Sequence, residues 1–214
     1  MKKLFLIAIA AMTFSCSSDD GPSNVTPDPQ ASGYAFMRGK MNNVDFDYTV
    51  NNTATDVFIY SPIGGYSGLD NKLWYRYGAS ISSFTPPNFI PEIMIGWDNV
   101  YYYSGVGADL ENEQFYTTVG NLPTNFLTDN QSDNYSPGVT VDFRDAQGKF
   151  YSTIYGSQSG SSVAVTGSSQ AVEMGIKTKT VWGTFSCKMY NENNPADVKQ
   201  ITNGTFKVVL FPNN

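Results

Sequence analysis

Val181-Trp182-Gly183-Thr184-Phe185-Ser186-Cys187-Lys188-Met189-Tyr190 decides the fold. Read with a period of two, it places Val181, Phe185, Cys187 and Met189 on one face. Trp182, Thr184, Ser186 and Lys188 fall on the other. Successive side chains of a strand point to opposite faces, so this is a half-buried β-strand and not a helix. Phe206, Val208 and Leu210 alternate with Lys207, Val209 and Phe211 in the same way. Val139, Val141 and Phe143 alternate with Thr140, Asp142 and Arg144.

Turn residues separate such runs. Asn42-Asn43 lies between Tyr34–Met41 and Val44–Thr49, a first hairpin. Asp145-Ala146-Gln147-Gly148 joins Val139–Arg144 to Lys149–Tyr155, with Gly148 placed for a left-handed conformation after a type I turn. Asn191 to Pro195 separates the last two runs, and Asn203-Gly204 is a tight turn or a bulge within one strand. Further strands are expected at Asp56–Tyr60, Lys72–Ser82, Pro91–Asp98, Ser162–Thr166 and Glu173–Lys179, and a short helix at Asp109–Thr118. The fold class is therefore all-β, an antiparallel β-sandwich or closed β-barrel of about ten strands. No repeat or composition break divides residues 33–214, so they form a single β domain.

The chain begins differently. Lys2 and Lys3 precede the apolar run Leu4–Met12, which is too short to span a bilayer and fits a secretory leader. Thr13-Phe14-Ser15-Cys16 follows, and a small residue before cysteine at the end of such a run resembles a bacterial lipobox. The resemblance implies cleavage of residues 1–15 as a lipoprotein signal peptide and acylation of Cys16. Several acyl chains, at about 0.8 kcal/mol per buried CH₂, anchor a protein far more firmly than a single myristoyl chain. In this motif Leu usually stands three residues before the cysteine, where this chain has Thr13. Ser17-Ser18-Asp19-Asp20 looks like the acidic export signal of Bacteroidota surface lipoproteins, implying an outer-membrane location facing the cell exterior. Residues 16–32 are thus the lipidated cysteine and a flexible tether, with three prolines between Gly21 and Ser32.

Phe36 to Phe46, Val141-x-Phe143-x-Asp145-x-x-Gly148, Gly156-x-Gln158-x-Gly160, Gly183-Thr184-Phe185-Ser186-Cys187 and Ile201-Thr202-Asn203-Gly204-Thr205-Phe206 form a pattern similar to a family of small, uncharacterised, β-rich Bacteroidota lipoproteins. These are mostly turn and core residues. The resemblance implies a β-rich fold behind a lipid anchor and no assigned chemistry. That family commonly has Asn-Gly in its first turn, where this chain has Asn42-Asn43.

Composition narrows the function. The 214 residues carry a net charge of −6, with 19 acidic residues against 13 basic ones, three of them arginines. Loss of Lys2 and Lys3 with a leader makes the balance more acidic still, which disfavours nucleic acid as a partner. There is no histidine, so a Ser-His-Asp triad, a Cys-His dyad and His-dependent zinc sites are excluded. With two cysteines, one of them at the lipobox, four-cysteine metal sites are excluded as well. No cofactor is expected. Cys187 shares its face with Phe185 and Met189 and reads as a buried small hydrophobe. Asp129-Asn130-Gln131-Ser132-Asp133-Asn134 is rich in oxygen ligands but lacks the order of a calcium loop, which leaves metal binding unassigned. Gly64-Gly65 and Gly105-x-Gly107 read as loops without the context of a phosphate site.

Aromatic residues supply the candidate ligand site. Trp74 lies on one strand, Trp97 ends another, and Tyr101, Tyr102 and Tyr103 follow. On one exposed face these rings would form a platform for stacking sugars; turned inward they would be core and cross-strand pairs. The expected function is a lipid-anchored outer-membrane or cell-surface lipoprotein, non-catalytic, that acts as a glycan-binding module. A structural or accessory subunit of a surface protein complex is the first alternative, and a carboxylate-based hydrolase the second. The hydrolase would require a pair of carboxyl groups in a cleft with pKa values pushed apart.

Overall fold

The computed structural model describes residues 33–51, 58–69, 72–83, 90–104, 115–128, 136–173 and 175–212. Among these are ten strands: β1 (Ala35–Met41), β2 (Val44–Val50), β3 (Phe58–Leu69), β4 (Lys72–Ser83), β5 (Glu92–Ser104), β6 (Gly138–Arg144), β7 (Phe150–Ser152), β8 (Ser162–Glu173), β9 (Ile176–Asn191) and β10 (Asn194–Leu210). All pair antiparallel. The order is β2-β1-β10-β9-β7-β6-β5-β4-β3, with β8 also pairing with β9. Among the described residues no strand pairs with the outer edge of β2 or β3, so the sheet is open and the closed barrel is corrected.

β9 turns the corner of the sheet. Its first part pairs with β8, from Ser162↔Ser186 to Glu173↔Ile176. Its end pairs with β7 through Tyr151↔Asn191 and Ser152↔Tyr190. This short ladder joins β2-β1-β10-β9-β8 to β7-β6-β5-β4-β3, and the two halves face each other across the core. Trp97 of β5 meets Phe206 of β10 edge-on at 5.7 Å, and Phe206 meets Phe185 of β9 at 6.2 Å. The inward residues Met37, Tyr77, Ile93, Ile95, Val141, Met189, Val208 and Leu210 share one cluster with them. The alternation of β9 is as expected: Val181, Phe185, Cys187 and Met189 are all buried.

Local chemistry explains the connections. Asn42 and Asn43 both have positive φ, 50° and 67°, as a two-residue hairpin of type I′ requires. Asp145 accepts from the N–H groups of Gln147 and Lys149 through its side chain, and Gly148 takes φ 80°. Asn191 Oδ1 accepts from the N–H groups of Asn193 and Asn194 and so closes the β9–β10 turn. Asn203-Gly204 is a bulge: the β9–β10 register shifts between Ile201 and Gly204, and Asn203 has φ 52°.

Several strands run longer than their local sequence suggests. Glu173–Lys179 divides between the end of β8 and the start of β9, and the latter continues through Val181–Tyr190. β3 continues past Tyr60 through Pro62, Gly64 and Gly65, which places Gly64-Gly65 in a strand and not in a loop. Proline is tolerated there because β3 is an edge strand. Of Asp109–Thr118, residues 115–118 form a helical turn; residues 109–114 lie outside the described residues. Residues 1–32, with Cys16, and the stretches Asp129–Asn134 and Gly105-x-Gly107 also lie outside them.

Candidate functional site

Of the expected aromatic platform, Trp97 is the residue whose side chain the structure places, and it points inward. Trp97 is fully buried in the core, one face of its environment being Phe206. It belongs to the inward set with Ile93 and Ile95, so it cannot stack an external ligand. In the backbone register β4 and β5 pair Trp74 with Tyr102, Tyr75 with Tyr101 and Leu73 with Tyr103. Cys187 is buried as expected, and burial pushes its thiol pKa up, with the charge of Asp142 acting in the same direction.

A different constellation lies on the outer face of β4, β5, β6 and β7. Arg76, Asp98, Thr140, Asp142 and Ser152 line a cleft of about 360 Å³ together with Leu127, Phe150, Ile154 and Tyr155. Strand periodicity positions the polar set. Arg76 lies between the inward Tyr75 and Tyr77, Asp98 follows Trp97, and Thr140 and Asp142 alternate with Val139, Val141 and Phe143. The β4–β5 register shifts between Tyr75 and Tyr77, so that the stretch of β5 from Asp98 to Val100 lies opposite Arg76 alone. That bulge brings the carboxylate of Asp98 to the guanidinium.

Arg76 is the centre of the site. Its Nη2 donates to Thr140 Oγ1 at 3.0 Å and to Asp142 Oδ2 at 3.5 Å. Its Nε lies 3.1 Å from Asp98 Oδ1, within ion-pair distance, yet this buried N–H makes no hydrogen bond. Thr140 Oγ1 in turn donates to Asp98 Oδ2 at 2.9 Å. Ser152 donates to Asp142 Oδ1. Asp142 is 7% exposed, and this burial holds its carboxyl above the ordinary carboxylate pKa. The Ser152 hydroxyl and the Arg76 charge oppose that shift, while Asp98 adds to it.

Two segments wall the cleft. Residues 125–127 run beside the start of β6, where Leu127 N–H donates to Val139 O and Val139 N–H to Asn125 O. On the other side the chain leaves β7 into a 3-10 turn, Thr153–Tyr155. Thr153 is fully buried and its hydroxyl accepts from Val141 N–H at 3.0 Å, replacing a ladder bond. Phe150 and Tyr155 meet edge-on at 6.4 Å on this wall. The cleft therefore offers donors, acceptors and aromatic surface within a volume usual for small-molecule sites.

In the sequence Arg76 stands out as one of three arginines, set among Trp74, Tyr75 and Tyr77. Asp98 and Asp142 carry no motif. Their signal is a charged residue alternating with core residues on strands, which is visible; the pairing that assembles them across four strands is not. Compared with known proteins, the chain matches no protein-family model, no curated protein sequence and no solved structure. Among the described residues no helix is long and apolar enough to cross a membrane, and no group of three or more carboxylates or cysteines is arranged to hold a metal ion.

Proposed function

We propose that this chain is a lipid-anchored outer-membrane lipoprotein facing the cell exterior, whose β domain binds a glycan without catalysis in the Arg76 cleft. The leader, Ser15-Cys16 and the acidic Ser17–Asp20 support the anchor and its orientation. The observation that carries the binding reading is the Arg76 network beside the Phe150–Tyr155 pair. Sugar rings have an apolar face for aromatic contact and hydroxyls that both donate and accept. A cleft with guanidinium, carboxylates and ring edges suits both.

The anchor is tested by metabolic labelling with a fatty acid: the wild-type chain takes up label and fractionates with the outer membrane, and Cys16→Ser does neither. Binding is tested by calorimetry on the detergent-solubilised lipoprotein with a glycan panel. The expected result is a ligand whose binding Arg76→Met removes while Trp97→Phe retains it. Silence across the panel would leave the cleft without this role.

One observation favours a carboxylate-based hydrolase as second reading. Asp98 and Asp142 line one cleft in unequal environments, the latter deeply buried. Binding is preferred because Arg76 engages both carboxylates and Ser152 holds Asp142. Release of reducing ends from a bound glycan, lost in both Asp98→Asn and Asp142→Asn, would reverse that preference.

A further inference from the structure

Resting on the reading of the cleft as a glycan site, we infer that it selects an uncharged sugar presenting two adjacent hydroxyls and rejects uronic acids and other anionic sugars.

Few of the polar groups in the cleft are left for a ligand. Thr140 Oγ1 accepts from Arg76 and donates to Asp98. Ser152 Oγ donates to Asp142 and accepts from Ile154 N–H at 3.3 Å. Both hydroxyls are used within the protein. Arg76 Nη1 makes no hydrogen bond among the described residues, and Asp98 keeps lone pairs beyond those facing Thr140 and Arg76. An unoccupied donor beside an unoccupied acceptor is matched by neighbouring hydroxyls, one accepting from Arg76 and the other donating to Asp98. The rings of Phe150 and Tyr155 line the same cleft and offer a surface to the apolar face of the sugar.

An anionic ligand meets two obstacles. A carboxylate is held best by the two-pronged fork of a guanidinium. Here Nε faces Asp98 and Nη2 faces Thr140 and Asp142, so that fork is taken. Charge is the second obstacle. The cleft holds one guanidinium and two carboxylates, a net negative balance that repels a third anion. Arg144 lies over the Phe150 ring at 5.6 Å and pairs with Glu92 at 4.0 Å, so its charge is already matched.

The test uses the detergent-solubilised lipoprotein and matched monosaccharides: glucose with glucuronate, galactose with galacturonate, mannose with mannuronate. Calorimetry should show the neutral member of at least one pair binding about tenfold tighter or better than its acid. Asp98→Asn should narrow that gap, and Arg76→Lys should abolish binding of the neutral sugar. Should Asp98→Asn not fold, salt dependence on the unaltered protein decides. Added salt should leave the neutral sugar's affinity unchanged and strengthen the acid's, because repulsion is screened. An acidic sugar that binds as tightly as its neutral partner, or that weakens with salt, overturns the selectivity and leaves the glycan site standing. Absence of binding by every member of every pair overturns both.

Discussion

The guanidinium of Arg76 occupies the space where a side chain on Gly96 would begin. A Cβ built on Gly96 falls 2.8 Å from Arg76 Nε, 2.9 Å from its Nη2 and 3.1 Å from Thr140 Oγ1. Gly96 is therefore needed for its lack of a side chain, and it gives Arg76 a flat bed against the sheet. Gly96→Ala should push the guanidinium off Asp98 and Asp142. The atoms in the way are the end of a long side chain that can swing aside, so the cost in urea unfolding should stay near or below about 1 kcal/mol. Ligand binding in the cleft should fall with it, more steeply than stability.

Asp142 makes stability depend on pH in a direction unusual for an aspartate. Burial raises its carboxyl pKa in the folded state above the ordinary 3.8, so the folded protein holds that proton more tightly than the unfolded chain. The stabilising effect is complete below pH 3.8 and disappears as pH rises through the raised value. Asp142→Asn keeps the shape and removes the titration. The difference in stability, variant minus wild type, should therefore grow in the variant's favour as pH rises from 3.8. Denaturant curves across that window check it; a difference that shrinks with rising pH would contradict the burial argument.

The two asparagines of the first hairpin should respond oppositely to glycine. Asn43 sits at φ 67°. Glycine adopts that conformation without the steric cost of a Cβ, so Asn43→Gly should stabilise by about 0.5 kcal/mol. Asn42 also acts beyond the turn, where its Oδ1 accepts from Gln200 N–H at 2.8 Å and ties the hairpin tip to β10. Asn42→Gly should lose about 1 kcal/mol for that bond, with the conformational gain offsetting only part of it. Thermal unfolding of the two single variants separates the effects.

Cys187 should be silent to thiol reagents while the domain is folded. It is 2% exposed, and its thiol pKa is raised by burial. Alkylation by iodoacetamide should follow the unfolded fraction across a denaturant series. Fast labelling under native conditions would show that the β9 core opens on its own.

How much of this is legible in the sequence depends on the range of the interaction. The alternation of β9 and the turns at Asn42-Asn43 and Asp145–Gly148 are short-range patterns, and they can be read because each is complete within a few residues. The length of β3 cannot, because Pro62, Gly64 and Gly65 weaken local strand preference while pairing with β4 sustains it. Trp97 could face either way from composition alone; its place beside Phe206 depends on which face of β5 meets the opposite half of the sheet. The Arg76 cleft is the least visible. Arg76, Asp98 and Asp142 lie far apart in sequence and come together only through strand order and the β5 bulge.

The pairing of β1 with β10 ties one of the earliest described segments to one of the last, with Phe36 opposite Lys207 and Met41 opposite Ile201. The first hairpin can form early, but its free edge has no native partner until the final strand arrives. Contacts so distant in sequence make folding slow. On the export proposed above, the chain would stay threadable until β10 is delivered and lock into shape after that. Late closure of the sheet would then act as a clock, with the last strand setting the moment of folding.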